Sequence, residues 1–206
     1  MDRFWFFTWR TFGTWLPGAA GFVGDFVTIQ GQRITQNVPT TPTADPMPAL
    51  ERYAKSVMRR SPVLLNAEQA AVLLPKLIAH AKYRGWLLDA AAILANHVHV
   101  VFGVPGDPDP DEMLADWKSY ASRPLNRLVG WSGESDSKRA RGEKRTRPIW
   151  WERDGSTRRL KDESRRVAAI RYVRDQENSL AGWLSEETQR TTAELDAAER
   201  RGEGIL

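Results

Sequence analysis

The string Asn96-His97-Val98-His99-Val100-Val101-Phe102 constrains what this chain can fold into more than any other stretch. It is short-period and rich in β-branched residues, and Gly103 and Pro105 end it, so it reads as a β-strand. Residues two apart on a strand share a face, about 6 to 7 Å apart along the backbone. His97 and His99 therefore point the same way, with ring nitrogens able to converge on one ion, while Val98, Val100 and Phe102 point toward a helical layer. The chain has three histidines in all, and two of them share this register. That pairing favours a metal site over the plainer alternative of two polar residues on the wet face of an amphipathic sheet.

The surrounding pattern predicts the scaffold. Phe4 to Phe12 is aromatic and Thr-rich, as a strand would be, and runs into Gly13, Pro17 and Gly18. Asn66 caps a predicted helix to about Tyr83, with a kink expected at Pro75. Leu87 to Leu94 and the histidine segment read as two strands joined by a tight turn at Asn96. A helix from Asp109 to Leu128, interrupted at Pro124, follows. Ile149-Trp150-Trp151 reads as a short strand, Gly155-Ser156-Thr157 as a turn, and Asp162 to about Asn178 as a helix. Ser185 opens a last, polar helix. This order predicts an α+β ferredoxin-like sandwich, an antiparallel sheet with helices on one face. A chain of 206 residues suits one domain, expected over 1–183, with a polar helical tail at 184–206. Two long irregular insertions are expected within it, an excursion over about 18–61 and a basic loop over about 130–147.

Composition removes several chemistries. Without cysteine there is no disulfide framework, thiolate zinc site or cysteine nucleophile, and a reducing cytoplasm is the expected location. No apolar run is long enough to span a membrane. The net charge of +4 is uneven: between Lys138 and Arg174 there are 14 Lys or Arg against 5 Asp or Glu. Such a run predicts a polyanion-binding surface, against the alternative of a solvated loop and helix face. The loop cations Lys138, Arg139, Arg141, Lys144, Arg145 and Arg147 are candidate phosphate contacts. Lys118, Arg123, Arg158 and Arg159 extend that set. Trp150, Trp151 and Trp117 are candidates for stacking on unpaired bases, with burial at least as strong an alternative.

Two imidazoles do not complete a metal site. Gln176 is the favoured third ligand, because it lies four residues after Tyr172 and would share its helical face. A phenol is a competent nucleophile toward phosphorus, so this spacing pairs a nucleophile with a ligand. Tyr120 is the runner-up nucleophile, but the residue four positions on is Pro124, which offers no ligand. Tyr53 and Tyr83 are read as structural, and His80 as a helix-surface or core histidine.

The segment NHVHVVF resembles the histidine-hydrophobe-histidine motif of the HUH superfamily. The chain as a whole is similar to single-tyrosine transposases of the REP-associated (RAYT) and related insertion-sequence type. The resemblance runs in order through TFGTWLPG at 11–18, ANHVHVVFGV at 95–104, WKSYASRPLNR at 117–127, IWWERDGSTRRL at 149–160 and AAIRYVRDQ at 168–176. It implies a ferredoxin-like catalytic domain and a divalent ion, Mg²⁺ or Mn²⁺. His97, His99 and Gln176 match the ligands and Tyr172 the nucleophile. The implied reaction is attack on single-stranded or hairpin DNA, leaving a 5′-phosphotyrosine and a free 3′-hydroxyl. Where such proteins usually have Met-Pro-Asn before the motif this chain has Leu94-Ala95-Asn96, and Gln176-Glu177 stands where Asn-Pro is common. Neither change removes an essential atom. Relatives of this type act as monomers or as homodimers, and the sequence leaves that choice open. The alternative function is a non-catalytic regulator, derived from a transposase, that binds structured nucleic acid.

Overall fold

Apolar alternation along RFWFFTWRT buries Trp5, Phe7, Trp9 and Thr11 on one side of the first strand, β1 (Arg3–Thr11). The structure is a computed structural model, and it describes residues 1–16, 18–19, 26–29, 32–35, 46–58, 60–131 and 147–202. After β1 come the strands β2 (Phe26–Ile29) and β3 (Gln32–Thr35), then the helices α1 (Pro48–Val57) and α2 (Ala67–Arg84). The hairpin strands β4 (Leu87–Ile93) and β5 (His97–Val104) precede α3 (Pro110–Leu128) and β6 (Trp151–Leu160). The chain continues through α4 (Glu163–Arg174), β7 (Ala181–Leu184) and α5 (Glu186–Arg200).

Met1–Thr11 with Leu64–Leu206 forms one compact unit, and Phe12–Val63 forms another. The first contains an antiparallel sheet in the order β6-β1-β5-β4-β7. Without β7 this is the βαββαβ ferredoxin-like arrangement, in which β1, α2, β4, β5, α3 and β6 follow one another along the chain. Helix starts match the expected caps. Asn66 and Gln69 form a capping box on α2, Asp109 accepts from Asp111 and Glu112, and Asp162 accepts from the backbone of Arg165. Pro75 and Pro124 both lie inside continuous helices rather than interrupting them.

Helices cover both faces of the sheet, which corrects the expectation of one. α2 and α3 pack on the side of Trp5, Phe7, Trp9 and Phe102: the Trp117 ring of α3 lies 6.3 Å from Trp9 and 5.4 Å from Phe102. α4 packs on the other side, where Ala169, Ile170 and Val173 meet Ala90, Ala92, Val101 and Leu160. The small residues of LLDAAAI make that second face a landing site. Asp89 sits where β4 slips register against β5, between Leu88 and Ala90. Its buried carboxylate takes the Arg166 guanidinium of α4 through two 2.8 Å bonds, which fastens the helix to the sheet.

Two further expectations change. The predicted turn at Gly155-Ser156-Thr157 lies inside β6, paired with Trp9, Thr8 and Phe7. A glycine is needed at 155 because a Cβ there would lie 2.7 Å from the Thr8 carbonyl oxygen and 3.0 Å from Leu114. The excursion expected as irregular over 18–61 contains the β2–β3 hairpin and α1. Its prolines read as breakers, yet Pro48 occupies the first turn of α1, where no backbone N–H is required.

Candidate active site

The register of β1 against β5 sets the row of side chains on the histidine face. Phe6 opposes Val101, Thr8 opposes His99, and Arg10 opposes His97. Directly opposed residues share a face. The two imidazole centroids are 4.5 Å apart, so the predicted pairing of His97 and His99 is present.

Each ring is anchored through its Nδ1. His97 Nδ1 lies 2.6 Å from Asn96 Oδ1, which can only accept, so the proton sits on that nitrogen and Nε2 carries a lone pair. His99 Nδ1 lies 2.7 Å from the Thr8 hydroxyl, while its Nε2 is buried without a hydrogen-bond partner among the described residues. Burial pushes His97 down to about 4, with the nearby Arg10 charge adding to the effect. Burial, then His97 and Arg10, push His99 down to about 3. Both imidazoles are therefore neutral at pH 7, the form that ligates metals.

Helix α4 brings Tyr172 to this row. Its ring lies 5.4 Å from His99 and 5.8 Å from Phe6, edge-on to both, and the residue is 54% exposed. The phenol thus borders the histidines and remains open to solvent. Gln176 does not share its helical face, because α4 ends at Arg174 with Asp175 as cap. The chain turns there to deliver β7 to the edge of β4, and the Gln176 amide nitrogen donates to the Tyr172 carbonyl at 2.9 Å. Among the described residues no hydrogen bond joins Gln176 to an imidazole, and no cluster of three or more His, Asp or Glu could hold a metal ion.

Tyr120 lies elsewhere. It is on α3, against the opposite face of the sheet, with its ring 3.8 Å from His80 and the Arg123 guanidinium 4.0 Å above it. Buried His80 lies 3.1 Å from Asp116 and packs on Trp117, in keeping with its reading as a core histidine.

Several expected DNA contacts are engaged inside the protein. Lys118 is buried, and its Nζ donates to the carbonyls of Glu152, Arg153 and Asp154 at 3.1, 2.8 and 3.0 Å. That arrangement uses all three ammonium protons, so Lys118 is a staple for the start of β6 rather than a phosphate contact. Trp150 and Trp151 are buried as well. Their indole N–H groups donate to Asn126 and, for Trp151, to Ser122 and the Lys118 carbonyl, so neither presents a free stacking face. Trp117 is fully buried. The exposed Arg158 opposes Phe6 and so lies on the histidine face of the edge strand, whereas Arg159 opposes Trp5 on the other face. The Arg147 guanidinium lies 5.8 Å from the Trp131 ring. Lys138, Arg139, Arg141, Lys144 and Arg145 fall outside the described residues.

The helical half of the basic run is also paired. Arg171 bridges to Asp196 and Glu199, and Arg174 to Asp175 and Asp196, at 2.7 to 2.8 Å. Part of the local charge excess of the sequence is thus offset by Asp196 and Glu199 of α5, which lie outside the basic window. α5 belongs to the same compact unit as the sheet.

No protein-family model matches this chain, and no curated protein matches it. Among solved structures, the REP-associated tyrosine transposase bound to a REP hairpin is similar at a TM-score of 0.42 and 14% identity. The match covers 83% of this chain and 64% of that one, so the chain spans less than two-thirds of the transposase's length. No helix among the described residues is long and apolar enough to cross a membrane.

Sequence reasoning missed two members of the histidine-face row, Thr8 and Arg10. Period-two alternation along FWFFTWRT puts both on the face opposite Trp5, Phe7 and Trp9. That signal was present, but the pairing that places them beside His99 and His97 is a long-range register.

Proposed function

We propose that this chain is a metal-dependent, transposase-like enzyme that nicks and rejoins single-stranded or hairpin DNA through Tyr172. The observation that carries the reading is the phenol of Tyr172 set against His99, beside a second histidine, with the His99 Nε2 buried and unpartnered among the described residues. A buried imidazole nitrogen without a partner is costly unless something binds it. Two neutral imidazoles would suit a divalent ion, to which Gln176 would add an amide oxygen.

His97, His99 and Gln176 would hold Mg²⁺ or Mn²⁺, which when bound supplies Lewis-acid polarisation of the scissile phosphate. Asn96 and Thr8 orient the two imidazoles through their Nδ1 atoms, as outer partners of metal-bound histidines do. Tyr172 Oη attacks phosphorus in line. The Oη–P bond forms, the P–O3′ bond breaks, and the phenolic proton passes through solvent to the departing 3′-oxygen. The products are a 5′-phosphotyrosine and a free 3′-hydroxyl, and the reverse reaction rejoins strands. The partner is DNA, and cytoplasmic action on it is consistent with a cysteine-free chain.

The test is trapping of a covalent protein–DNA adduct on a single-stranded hairpin oligonucleotide with added Mg²⁺ or Mn²⁺. Tyr172→Phe is expected to abolish the adduct and Tyr120→Phe to leave it. Retention by Tyr172→Phe would overturn the assignment. His97→Ala should lose adduct formation while retaining most binding, and equal loss of both would point to the non-catalytic, nucleic-acid-binding alternative.

A further inference from the structure

We propose that Arg10 binds a DNA phosphate at the end of the site opposite Tyr172, on the strand that departs with the 3′-hydroxyl. The inference rests on the reading above for which strand departs, and on the sheet register for the position of Arg10.

Tyr172 approaches the row at Phe6 and His99, and Arg10 opposes His97 at the other end. The order of residues along the face is therefore Tyr172, His99, His97 and Arg10. In-line displacement puts the leaving oxygen on the side of phosphorus away from the nucleophile. When a phosphate is seated over the histidines, the 3′-leaving strand runs toward Arg10.

The surroundings of Arg10 suit that task. Along the histidine face it adjoins Thr8 and opposes His97. On its other flank, β6 slips register between Trp9 and Thr11. The slip brings Glu152 to the same end of the sheet, and this carboxylate interacts electrostatically with Arg10. The backbone of that slip is held by the three bonds from Lys118. Half-buried, Arg10 keeps a less hydrated charge than a surface arginine, and a guanidinium recognises phosphate with paired, directional donors.

A methylphosphonate walk tests this. Equilibrium binding is measured without divalent metal, using hairpin oligonucleotides with a single-stranded flank in which each phosphate in turn is made neutral. Wild-type protein is expected to lose roughly ten- to hundredfold in affinity at one position, the range of a charge-assisted hydrogen bond. Arg10→Gln should show a comparable loss on unmodified DNA and no further loss at that position. Arg10→Lys should recover part of it. A structural role for Arg10 would give losses that multiply at every position, and that result overturns the proposal. So does coupling confined to a phosphate on the 5′-phosphotyrosine side.

The two readings fail separately. If wild-type protein forms no adduct but the coupling is present, the nuclease reading fails and phosphate binding by Arg10 stands without its strand assignment. If the adduct forms and Arg10→Gln is uncoupled everywhere, only the Arg10 proposal fails. Absence of any binding by wild-type protein overturns both.

Discussion

The two faces of the central sheet come from the same strands yet are built from different materials. Toward α2 and α3 the strands present Trp5, Phe7, Trp9 and Phe102, closed over by Trp117. Toward α4 they present Phe6, Thr8, Arg10, His97, His99, Ala90 and Ala92. One face gains stability from large rings in edge and stacked contact. The other gives up apolar area to hold two imidazoles and a phenol. Each face also carries a tyrosine, and the contrast between them is informative: Tyr120 is stacked on His80 and covered by Arg123, whereas Tyr172 borders the histidines and is open to solvent.

The largest effect that would sharpen this comparison is Trp117→Ala. A fully buried indole packed against Trp9, Phe102, Trp86 and His80 should cost about 3 to 5 kcal/mol when truncated. Urea unfolding would measure it. Tyr172→Ala, at an exposed site, should cost less than about 1 kcal/mol while removing all adduct formation. Similar stability losses for the two variants would break the division between a packing face and a chemistry face.

A smaller effect comes from the histidines. Both have folded-state values below the ordinary 6.5, at about 4 and about 3, so the unfolded chain binds more protons than the native one between those limits. The native protein is then fully stabilised above about pH 6.5 and loses stability as pH falls from there through about 4 and 3. The combined loss is on the order of a few kcal/mol. Urea unfolding in the presence of a chelator, compared between wild type and His97→Ala with His99→Ala, isolates it. A pH slope unchanged by the double substitution would place the acid sensitivity on the carboxylates instead.

Much of this arrangement was legible in the residues because it is local. Asn66, Asp109, Asp162 and Ser185 each bind the backbone of the helix that follows them, and a cap signals itself within three residues. The shared face of His97 and His99 follows from strand periodicity alone. What escaped was non-local. Lys118, Trp150 and Trp151 look like nucleic-acid contacts beside so many cations, and only the packing of α3 on β6 buries them. Arg171 and Arg174 look like free charge until α5 supplies Asp196 and Glu199. Gln176 missed its predicted helical position because β7 must reverse the chain to pair with β4, which ends α4 two residues before it.

The smallest effect bears on how the chemistry face is tuned. Thr8→Val keeps the shape of the side chain and removes the hydroxyl that meets His99 Nδ1. Loss of one hydrogen bond of this kind costs about 1 kcal/mol of stability, measured by urea unfolding above pH 7. Its chemical consequence is larger in kind. For His99 Nε2 to offer a lone pair, the ring proton must sit on Nδ1, where the Thr8 oxygen accepts it. Valine offers no acceptor, so the ring is free to take the other tautomer and to rotate. Outer-partner losses of this sort typically weaken metal affinity about 10- to 100-fold. Titration of Mn²⁺ into wild-type and Thr8→Val protein is therefore expected to show weaker binding in the variant, while Thr8→Ser retains it. If Thr8→Val binds metal as tightly as wild type, Thr8 is a packing residue, and the boundary between the two faces has to be redrawn to exclude it.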